Sequence, residues 1–490
     1  MRTRTRVAIV AVAFVAIAAA CSGGGGGGGA AGGAGGGGGK VSKQSLPKCP
    51  LDALQKAKGK VRVVIWHGWG ATIKDTLDKL VKEYNASQDK VEIDAQPEGK
   101  SYDEVFKKYT AAIPSKQLPG IIQLEDTSLQ TIIDSGTVLP AESCMKADHF
   151  DLSQFQPAVR SYYTSNGVFW PGFAAVSEPV LYYNKVHFQK AGLDINKPPQ
   201  TLAELRTTAE KLKKAGVSKK PLSLILNSWF TESWLNGIGV DTVNHDNGRS
   251  GTADKATFNK PEAVKLFTFL KKMKDDGLLD PIPGTDGQIN QYLALAQQNS
   301  SMTIETSSAA TTIKAFLQGN LDPAQFGSGA IDVNKNKLVP GAGPFPGIKA
   351  PGRVRVSGAA MFIVKTSKPE VQAAAWDFLK FMLQKQQSVR FHIGASYLPV
   401  IKGAPEDPKV QKFWKSDLAG VMLKTSYSQL DAVDPKAPGP IIGPYQDYKK
   451  ALQNALSAVM LKNADPAKAL TTAQKQLDSD MQRYVEDNGG

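Results

Sequence analysis

Polar and aromatic side chains follow short apolar runs of the chain, at positions where a strand would end. Glu125 and Asp126 come directly after the run GIIQL, and Trp229 and Trp234 come after LSLIL. Ligands of open α/β sheets lie beyond the carboxyl ends of the strands, where loops converge. Carboxylates accept hydrogen bonds from hydroxyl groups, and a tryptophan fills a pocket with a large rigid surface. Neighbouring strand residues point to opposite faces, so we expect only one of Glu125 and Asp126 to face a ligand.

Sequence signatures of enzymes and of metal sites are missing. The chain contains no GxSxG motif, no HExxH motif and no Walker loop. Its five histidines are widely separated, at positions 67, 149, 187, 245 and 392, and so indicate no metal site. A carbohydrate hydrolase would need two carboxylates that face each other, and no motif indicates such a pair. We therefore expect a protein that is not an enzyme and needs no metal or cofactor.

The elements that would position these residues alternate between strand and helix. Short β-branched runs predict buried strands, and apolar residues three and four apart predict helices. Strands that alternate with helices predict a parallel sheet covered on both faces. Two such blocks, separated by chain crossings, predict two lobes with a cleft between them. The predicted strands are 61–66, 91–95, 120–124, 180–183, 222–226, 302–304 and 359–364, and the predicted helices include 72–84, 102–112, 128–133, 201–215, 261–276, 369–385 and most of 445–485.

The first 21 residues have the pattern of a secretory signal that ends at a cysteine. Arginines at positions 2, 4 and 6 precede an apolar run at 7–20, and Cys21 follows directly. As a helix the run would span about 21 Å, less than the roughly 30 Å of a bilayer core, which disfavours a transmembrane helix. The residues before Cys21 resemble a bacterial lipobox, with Ala18 in place of the usual leucine. That resemblance implies cleavage before Cys21, diacylation with chains such as palmitate, and an extracytoplasmic protein anchored to the cell membrane. The alternative is an ordinary signal peptide.

A glycine-rich segment, 22–48, separates this signal from the rest of the chain. Its first part, 23–39, consists almost entirely of glycine and alanine. Such a composition cannot bury apolar surface, so we predict a disordered tether. A flexible chain of this length would hold the following domain roughly 20–25 Å from the lipid.

Two cysteines remain if Cys21 carries a lipid. An even number of cysteines in an exported protein favours a disulfide, here between Cys49 and Cys144. The bond would join the N-terminal arm to the first lobe. Two free buried thiols are the alternative.

The net charge of the 490-residue chain is +14, with an isoelectric point of about 9.3. A basic balance can indicate nucleic acid or an acidic surface as partner. The lysines are instead scattered singly through the predicted helices, with no block of five or six like charges. We therefore expect a solvated basic surface and no nucleic-acid partner.

Five segments in order make the chain similar to a known family. They are VRVVIWHGWG, PVLYYNKVHFQKAGLDINKPPQTLAEL, SMTIETSSAATTI, VSGAAMFIVKTSKPEVQAAAWDFLKFM and ASYLPV, the last with Ser396 where the family has glycine. Together they resemble the carbohydrate-type extracellular solute-binding proteins of ABC importers, especially the subgroup with the glycerol-3-phosphate binder. This resemblance argues against a surface adhesion protein.

The resemblance implies an α/β fold of the type II periplasmic-binding-protein class, in which hinge strands join two lobes that close over a ligand. The predicted first lobe comprises 49–175 and 305–355, and the second comprises 176–304 and 356–485. The implied partners are a small solute and the permease subunits of an importer, and the protein would act as a monomer.

The same resemblance places eight residues in the ligand cleft. They include aromatic, hydroxyl and carboxylate side chains, which suit a sugar or polyol. Core packing is the alternative for the aromatic residues, and a turn or cap role is the alternative for the serines. The eight are Tyr102, Asp126, Ser177, Trp229, Trp234, Ser307 (or its neighbour Ser308), Gly358 and Tyr397.

One departure from the family bears on the ligand. Members that bind a phosphate carry an arginine near the C-terminal part of the cleft, where its planar donors suit a phosphate. The corresponding stretch here, APGPIIGPYQDY, has none, and whether Arg353 or Arg355 reaches the cleft stays open. A sugar or oligosaccharide is therefore favoured. The alternative is glycerol-3-phosphate or a glycerophosphodiester such as glycerophosphocholine, whose cation an aromatic cage with a carboxylate would suit.

Overall fold

The computed structural model describes residues 41–284, 294–318, 338–349, 352 and 354–488. The predicted signal peptide, Cys21, most of the tether and Arg353 lie outside the described residues. In the described part of the chain, no helix has the length and apolar character needed to cross a membrane.

The end of the predicted tether is ordered. Lys43–Ser45 forms a short 3-10 helix, and Val41 and Leu46 pack against a hydrophobic core. These apolar side chains can bury surface, which the preceding glycines cannot do, so the prediction of disorder up to residue 48 was wrong for this part.

The first sheet contains six strands in the order β2-β1-β3-β13-β4, with β7 also paired to β13. β1 runs parallel to β2 and β3, whereas β13 runs antiparallel to β3, β4 and β7. The sheet is therefore mixed and not parallel as predicted, because β13 returns from more than 200 residues later in the chain. Its strands are β1 Val61–His67, β2 Val91–Pro97, β3 Ile121–Glu125, β4 Val138–Leu139, β7 Phe173–Ser177 and β13 Ser357–Val364.

Among the described residues, the second sheet contains five strands in the order β10-β9-β11-β8-β12. β9 runs parallel to β10 and β11, and β8 runs antiparallel to β11 and β12. A separate two-stranded hairpin is formed by β5 Thr164–Ser165 and β6 Val168–Phe169. The strands of the second sheet are β8 Pro179–Asn184, β9 Leu222–Leu226, β10 Leu279–Pro283, β11 Met302–Thr306 and β12 Pro340–Pro344.

Helices cover both sheets, and several begin at the caps that the sequence provides. Ser101 accepts a hydrogen bond from the Glu104 amide at the start of α3, and Thr201 and Glu204 form a capping box at the start of α8. The helices are α1 Asp52–Lys56, α2 Ala71–Ser87, α3 Tyr102–Ala112, α4 Leu129–Asp134, α5 Ala141–Ala147, α6 Pro157–Tyr162, α7 Lys185–Lys190, α8 Leu202–Lys214, α9 Ser228–Gly237, α10 Pro261–Asp275, α11 Ala310–Leu317, α12 Pro369–Met382, α13 Lys385–Ala395, α14 Pro408–Ser416, α15 Leu418–Asp431, α16 Tyr445–Lys462 and α17 Pro466–Asp487.

Two hydrophobic cores define two lobes. The first surrounds the first sheet, with α2, α3 and α12 to α14, and the second surrounds the second sheet, with α8 to α10, α16 and α17. β8 borders both cores, since Val180 and Tyr182 face the first and Leu181 and Tyr183 face the second. Below, lobe 1 is the part built on the first sheet and lobe 2 the part built on the second.

The strand pairings assign two segments differently from the predicted lobe boundaries. β12 lies in the second sheet, although 305–355 was predicted as lobe 1. β13 lies in the first sheet, although 356–485 was predicted as lobe 2, and only α16 and α17 of that segment pack in the second core. An apolar strand fits either sheet equally well by composition, so the partner is decided by long-range pairing.

Cys49 and Cys144 form a disulfide, with their Cα atoms 4.9 Å apart. Both residues are buried, and Cys144 lies in α5 of lobe 1. The bond joins the N-terminal arm to this lobe.

Candidate functional site

A cavity of about 330 Å³ lies between the two sheets. Lobe 1 contributes the segments that follow β1, β2 and β3, lobe 2 contributes those that follow β9 and β11, and the chain crossings lie between them. This is the crevice beyond the strand ends where ligands of α/β sheets bind. The lining residues are Gly68, Lys100, Ser101, Tyr102, Asp103, Glu125, Asp126, Ser177, Asn227, Trp229, Glu305, Thr306, Ser308, Ser357, Gly358, Tyr397 and Lys449.

Two tyrosines form an aromatic wall on lobe 1. The Tyr102 and Tyr397 hydroxyls share a hydrogen bond of 2.5 Å, and the Trp69 indole N–H donates to Tyr102 over 3.2 Å. Burial and the nearby Tyr397 hydroxyl raise the pKa of Tyr102 well above its usual value. Burial raises the pKa of Tyr397 to about 12. Both phenols are therefore neutral at physiological pH and can donate or accept hydrogen bonds.

A buried histidine holds the turn that carries Tyr397. The Trp414 indole N–H donates to Nε2 of His392, so Nδ1 carries the proton and donates to the Tyr397 carbonyl, each over 2.8 Å. Burial lowers the pKa of His392 to about 4, which keeps the ring neutral. Ser396, where the family has glycine, takes the left-handed conformation with φ of 60°.

Asp126 lies at the floor of the cavity with both carboxylate oxygens already in use. Oδ1 accepts the Gly358 amide over 2.9 Å, and Oδ2 accepts the Tyr162 hydroxyl over 2.6 Å and Nη1 of Arg355 over 2.6 Å. The carboxylate therefore orients the floor, and its geometry is set before any ligand arrives.

Arg355 reaches this floor from the segment before β13. Its Nε donates to Oε1 of Glu232 over 2.7 Å, and the Tyr445 hydroxyl donates to the same oxygen. The side chain is 2% exposed, and its guanidinium lies over the rings of Tyr162 and Tyr445, 5.6 and 5.8 Å from their centres. It joins Asp126 of lobe 1 to Glu232 of lobe 2 beneath the cavity, and it does not itself line the cavity.

Glu125 and Asp126 both line the cavity, contrary to the prediction that only one would face it. The alternation of strand side chains ends at Glu125, because Asp126–Ser128 forms a 3-10 turn that changes direction. Glu125 accepts a hydrogen bond from Nζ of Lys449 over 2.6 Å. Burial alone would raise the pKa of Glu125, but the nearby ammonium group lowers it below the usual value, so the carboxylate is ionised.

Lobe 2 contributes a tryptophan and several polar groups. Asn227 caps α9 by accepting the Trp229 amide over 2.8 Å, which fixes the tryptophan at the cavity. The Trp229 indole N–H is buried and has no hydrogen-bond partner within the described residues. Glu305, Thr306 and Ser308 line the cavity beside it. This wall combines an aromatic side chain with polar groups from the end of β11.

The structure places six of the eight predicted cleft residues at the cavity. Gly358 has φ of 128°, and a Cβ there would lie 2.2 Å from the Ala175 carbonyl oxygen, so only glycine fits this position. Tyr102, Asp126, Ser177, Trp229 and Tyr397 are the other five.

Trp234 and Ser307 lie away from the cavity. Trp234 is 2% exposed, stacks on Phe345 and donates its indole N–H to the Pro346 carbonyl over 2.7 Å. Ser307 is buried in a chain crossing, where its hydroxyl accepts the Glu178 amide over 3.0 Å, and Ser308 lines the cavity in its place.

Lys449 is the main cavity residue that sequence reasoning missed. It belongs to α16, far from any strand end, so a rule that places ligand contacts directly after strands does not include it. Asp103 and Asn227 were missed as well, although each lies next to a residue or strand that was chosen. Among the described residues, no three His, Cys, Asp or Glu side chains come together as metal ligands.

A family model described as bacterial extracellular solute-binding protein matches residues 79–417. The sn-glycerol-3-phosphate-binding periplasmic protein UgpB of Escherichia coli strain K12 is 25% identical over 439 residues, which are 89% of this chain and 95% of that protein. The protein of the same name from Brucella melitensis is 28% identical over 359 residues, which are 72% of this chain and 77% of that protein.

Solved structures show the same fold. UgpB from Mycobacterium tuberculosis, in complex with glycerophosphocholine, has a TM-score of 0.72 at 18% identity, over 87% of this chain and 100% of that chain. The cyclic alpha-maltosyl-1,6-maltose binding protein from Arthrobacter globiformis has a TM-score of 0.68 at 21% identity, over 87% of this chain and 100% of that chain. The predicted two-lobe α/β fold is therefore confirmed.

Proposed function

Because the chain belongs to the family of bacterial extracellular solute-binding proteins, we propose that it is the substrate-binding lipoprotein of an ABC importer. In this proposal a sugar or oligosaccharide binds in the cavity between the lobes and is delivered to the permease. A ligand that contacts both lobes would bind the closed form more tightly than the open form, and this difference in binding free energy would favour closure.

The lining of the cavity is the observation that carries this proposal. Two phenols, two serine hydroxyls at the crossings and several carboxylates offer many hydrogen-bond partners to a polyhydroxylated ligand, and Trp229 offers an indole ring. A sugar has hydroxyl groups around an apolar ring face, and it matches both features of this lining.

The charges of the lining favour a ligand without a net negative charge. Carboxylates at Asp103, Glu125, Asp126 and Glu305 outnumber the ammonium groups of Lys100 and Lys449. Arg355, at the floor of the cavity, is held by two carboxylates. Among the described residues of the lining, a phosphomonoester with two negative charges would meet more carboxylates than ammonium groups and no guanidinium.

A glycerophosphodiester is the second candidate, and the same lining favours it over glycerol-3-phosphate. Glycerophosphocholine, the ligand named for the tuberculosis structure, carries one negative and one positive charge. Its cation could lie against the Trp229 ring near a carboxylate, an arrangement that binds quaternary ammonium groups.

A calorimetric screen tests the proposed function. The full chain would be titrated with maltose, trehalose, larger maltooligosaccharides, glycerophosphocholine and glycerol-3-phosphate. We expect binding of at least one sugar, with product analysis showing that the sugar is unchanged. Binding of glycerol-3-phosphate alone would overturn the ranking, and turnover of any ligand would overturn the binding-only role.

The lipid anchor on Cys21 is a separate part of the proposal and rests on the sequence pattern before it. Expression in a bacterial host, followed by detergent phase partition and mass spectrometry, would test for the acylated cysteine. We expect Cys21→Ser to move the protein to the aqueous phase. The proposal would be wrong if the native chain carried no lipid.

A further inference from the structure

Lys449 links the two lobes across the cavity. It extends from α16 of lobe 2, and its ammonium group lies 2.6 Å from Oε2 of Glu125 and 3.5 Å from Oδ1 of Asp103, both of lobe 1. All three side chains line the cavity. Lys449 is therefore a cavity cation whose partners belong to the opposite lobe.

This contact differs in burial from the ionic link at the floor. Arg355, Asp126 and Glu232 have side chains no more than 2% exposed, so separating them would leave charges without water. Lys449 is 20% exposed, with Glu125 at 23% and Asp103 at 30%. Water can replace these partners when the lobes separate, so this pair can open while the floor link stays intact.

Lys449 and Glu125 stabilise each other in their charged forms. Although burial works against it, the two carboxylates raise the pKa of Lys449, and the ammonium group lowers the pKa of Glu125. Both groups are therefore ionised at neutral pH, and their attraction draws α16 towards the end of β3.

We propose that Lys449 couples closure of the lobes to the charge of the ligand. Its pair with Glu125 and Asp103 favours the closed lobes even in the empty protein. A neutral ligand leaves the pair in place, whereas an anionic group that binds Lys449 has to take it from Glu125 and leave that carboxylate without its cation. The ligand part of this inference rests on the proposed function, but the effect on the empty protein does not.

Small-angle X-ray scattering of the ligand-free full chain tests closure. Lys449→Gln should shift the equilibrium towards open lobes by roughly tenfold, because the energy of a partly exposed ion pair lies between those of exposed and buried pairs. The radius of gyration should increase accordingly. Lys450→Gln, at the exposed next position, is the matched control and should scatter like the native protein. Equal scattering of the Lys449→Gln and Lys450→Gln variants would overturn the proposal.

Glu125→Gln removes the lobe 1 partner of the same pair and should also shift the protein towards open lobes. It replaces Lys449→Gln in the scattering test if that variant does not fold. The double variant should open no further than Lys449→Gln alone, because that single variant already removes both contacts of the ammonium group. Additive opening would contradict the pairing. Raising the salt from 0.1 to 1 M should shift only the native protein and the Lys450→Gln control towards the open form, since the pair is partly exposed.

Calorimetry with the neutral sugar that the screen identifies, and with glycerol-3-phosphate as the anion, tests the charge dependence, and the native protein should bind the sugar more tightly than the anion. We expect Lys449→Gln to weaken binding of the neutral sugar by no more than about tenfold, because only the contribution of closure is lost. A loss of more than a hundredfold would show that Lys449 contacts the ligand directly, against the proposal. If no panel ligand binds the native protein, the proposed function fails, while the scattering result still decides whether Lys449 closes the empty cleft.

Discussion

Trp414 donates its indole N–H to Nε2 of His392, over 2.8 Å, and thereby fixes which ring nitrogen holds the Tyr397 carbonyl. The interaction requires a neutral imidazole, because a protonated Nε2 could not accept this hydrogen bond. A residue with no contact to the cavity thus positions one of the cavity's two phenols.

Protonation of buried histidines should destabilise the protein in acid. The pKa of His392 is lowered by burial from 6.5 to about 4, so between these values the unfolded chain binds more protons than the folded one. Stability is therefore greatest above pH 6.5 and falls as the pH decreases towards 4, by about 3 kcal/mol for this histidine. His67, also lowered to about 4 by burial, should add a similar loss.

Urea unfolding at pH 7.5, 5.5 and 4.0 measures this dependence. His392→Asn should reduce the loss of unfolding free energy between pH 7.5 and 4.0 by about 3 kcal/mol, because one buried imidazole is removed. His149→Asn is the matched control, because His149 is exposed and its left-handed backbone suits asparagine. An unchanged slope in the His392 variant would contradict the role of this ring.

Arg355 should be essential for stability. Arg355→Met leaves Asp126 and Glu232 buried without their shared cation, and we expect a loss of roughly 3–5 kcal/mol in the free energy of unfolding. Arg355→Lys should restore little of this stability, because one ammonium group cannot donate to both carboxylates with the geometry of the planar guanidinium. Arg62→Met, which breaks an exposed pair with Asp94, is the control and should cost about 1 kcal/mol or less. Similar losses for Arg355 and Arg62 would contradict this account.

Gly358→Ala should disrupt the crossing at the cavity floor. The added Cβ would lie 2.2 Å from the Ala175 carbonyl oxygen at a φ of 128°, so β13 and β7 must separate or the backbone must change. We expect a loss of at least about 2 kcal/mol in urea unfolding, together with loss of ligand binding. Gly59→Ala meets open space and should stay within about 0.5 kcal/mol of the native protein. A stable, ligand-binding Gly358→Ala variant would refute this argument.

The disulfide should stabilise the N-terminal arm and lobe 1. Cys49 and Cys144 are 95 residues apart, a loop for which chain entropy predicts up to about 4.5 kcal/mol. We expect Cys49→Ala/Cys144→Ala to unfold at lower urea, and reduction of the native protein to have a similar effect. The double variant should be insensitive to reductant, and equal stability with and without the bond would contradict the prediction.

The two tryptophans that follow β9 should separate into a ligand contact and a core residue. Trp229→Ala should weaken ligand binding in calorimetry, with a smaller effect on stability, because the ring lines the cavity. Trp234→Ala should cost roughly 3–5 kcal/mol, because the ring is buried against Phe345. Unchanged affinity in the Trp229 variant would assign that ring to packing alone.

Local patterns were enough to locate most strands and helices. β9 lies where it was predicted, at 222–226, and α3 occupies the predicted 102–112, because strand and helix periodicity and the Ser101 cap are properties of neighbouring residues. The same local reasoning failed at Asp126, where a 3-10 turn ends the strand alternation one residue earlier than expected.

The order of five motifs along the chain was sufficient to identify the two-lobe fold and six residues that lie at the cavity, because these signals are carried by short segments. The tertiary structure alone assigned β12 and β13 to their sheets, brought Lys449 to the cavity from α16, and enclosed Arg355 between Asp126 and Glu232. These features join residues more than 100 positions apart. An apolar strand can pair in either sheet, and a cationic side chain can pair with carboxylates in different parts of the chain. Residue type and spacing carry no record of that choice, since either partner would satisfy the same hydrophobic and electrostatic requirements.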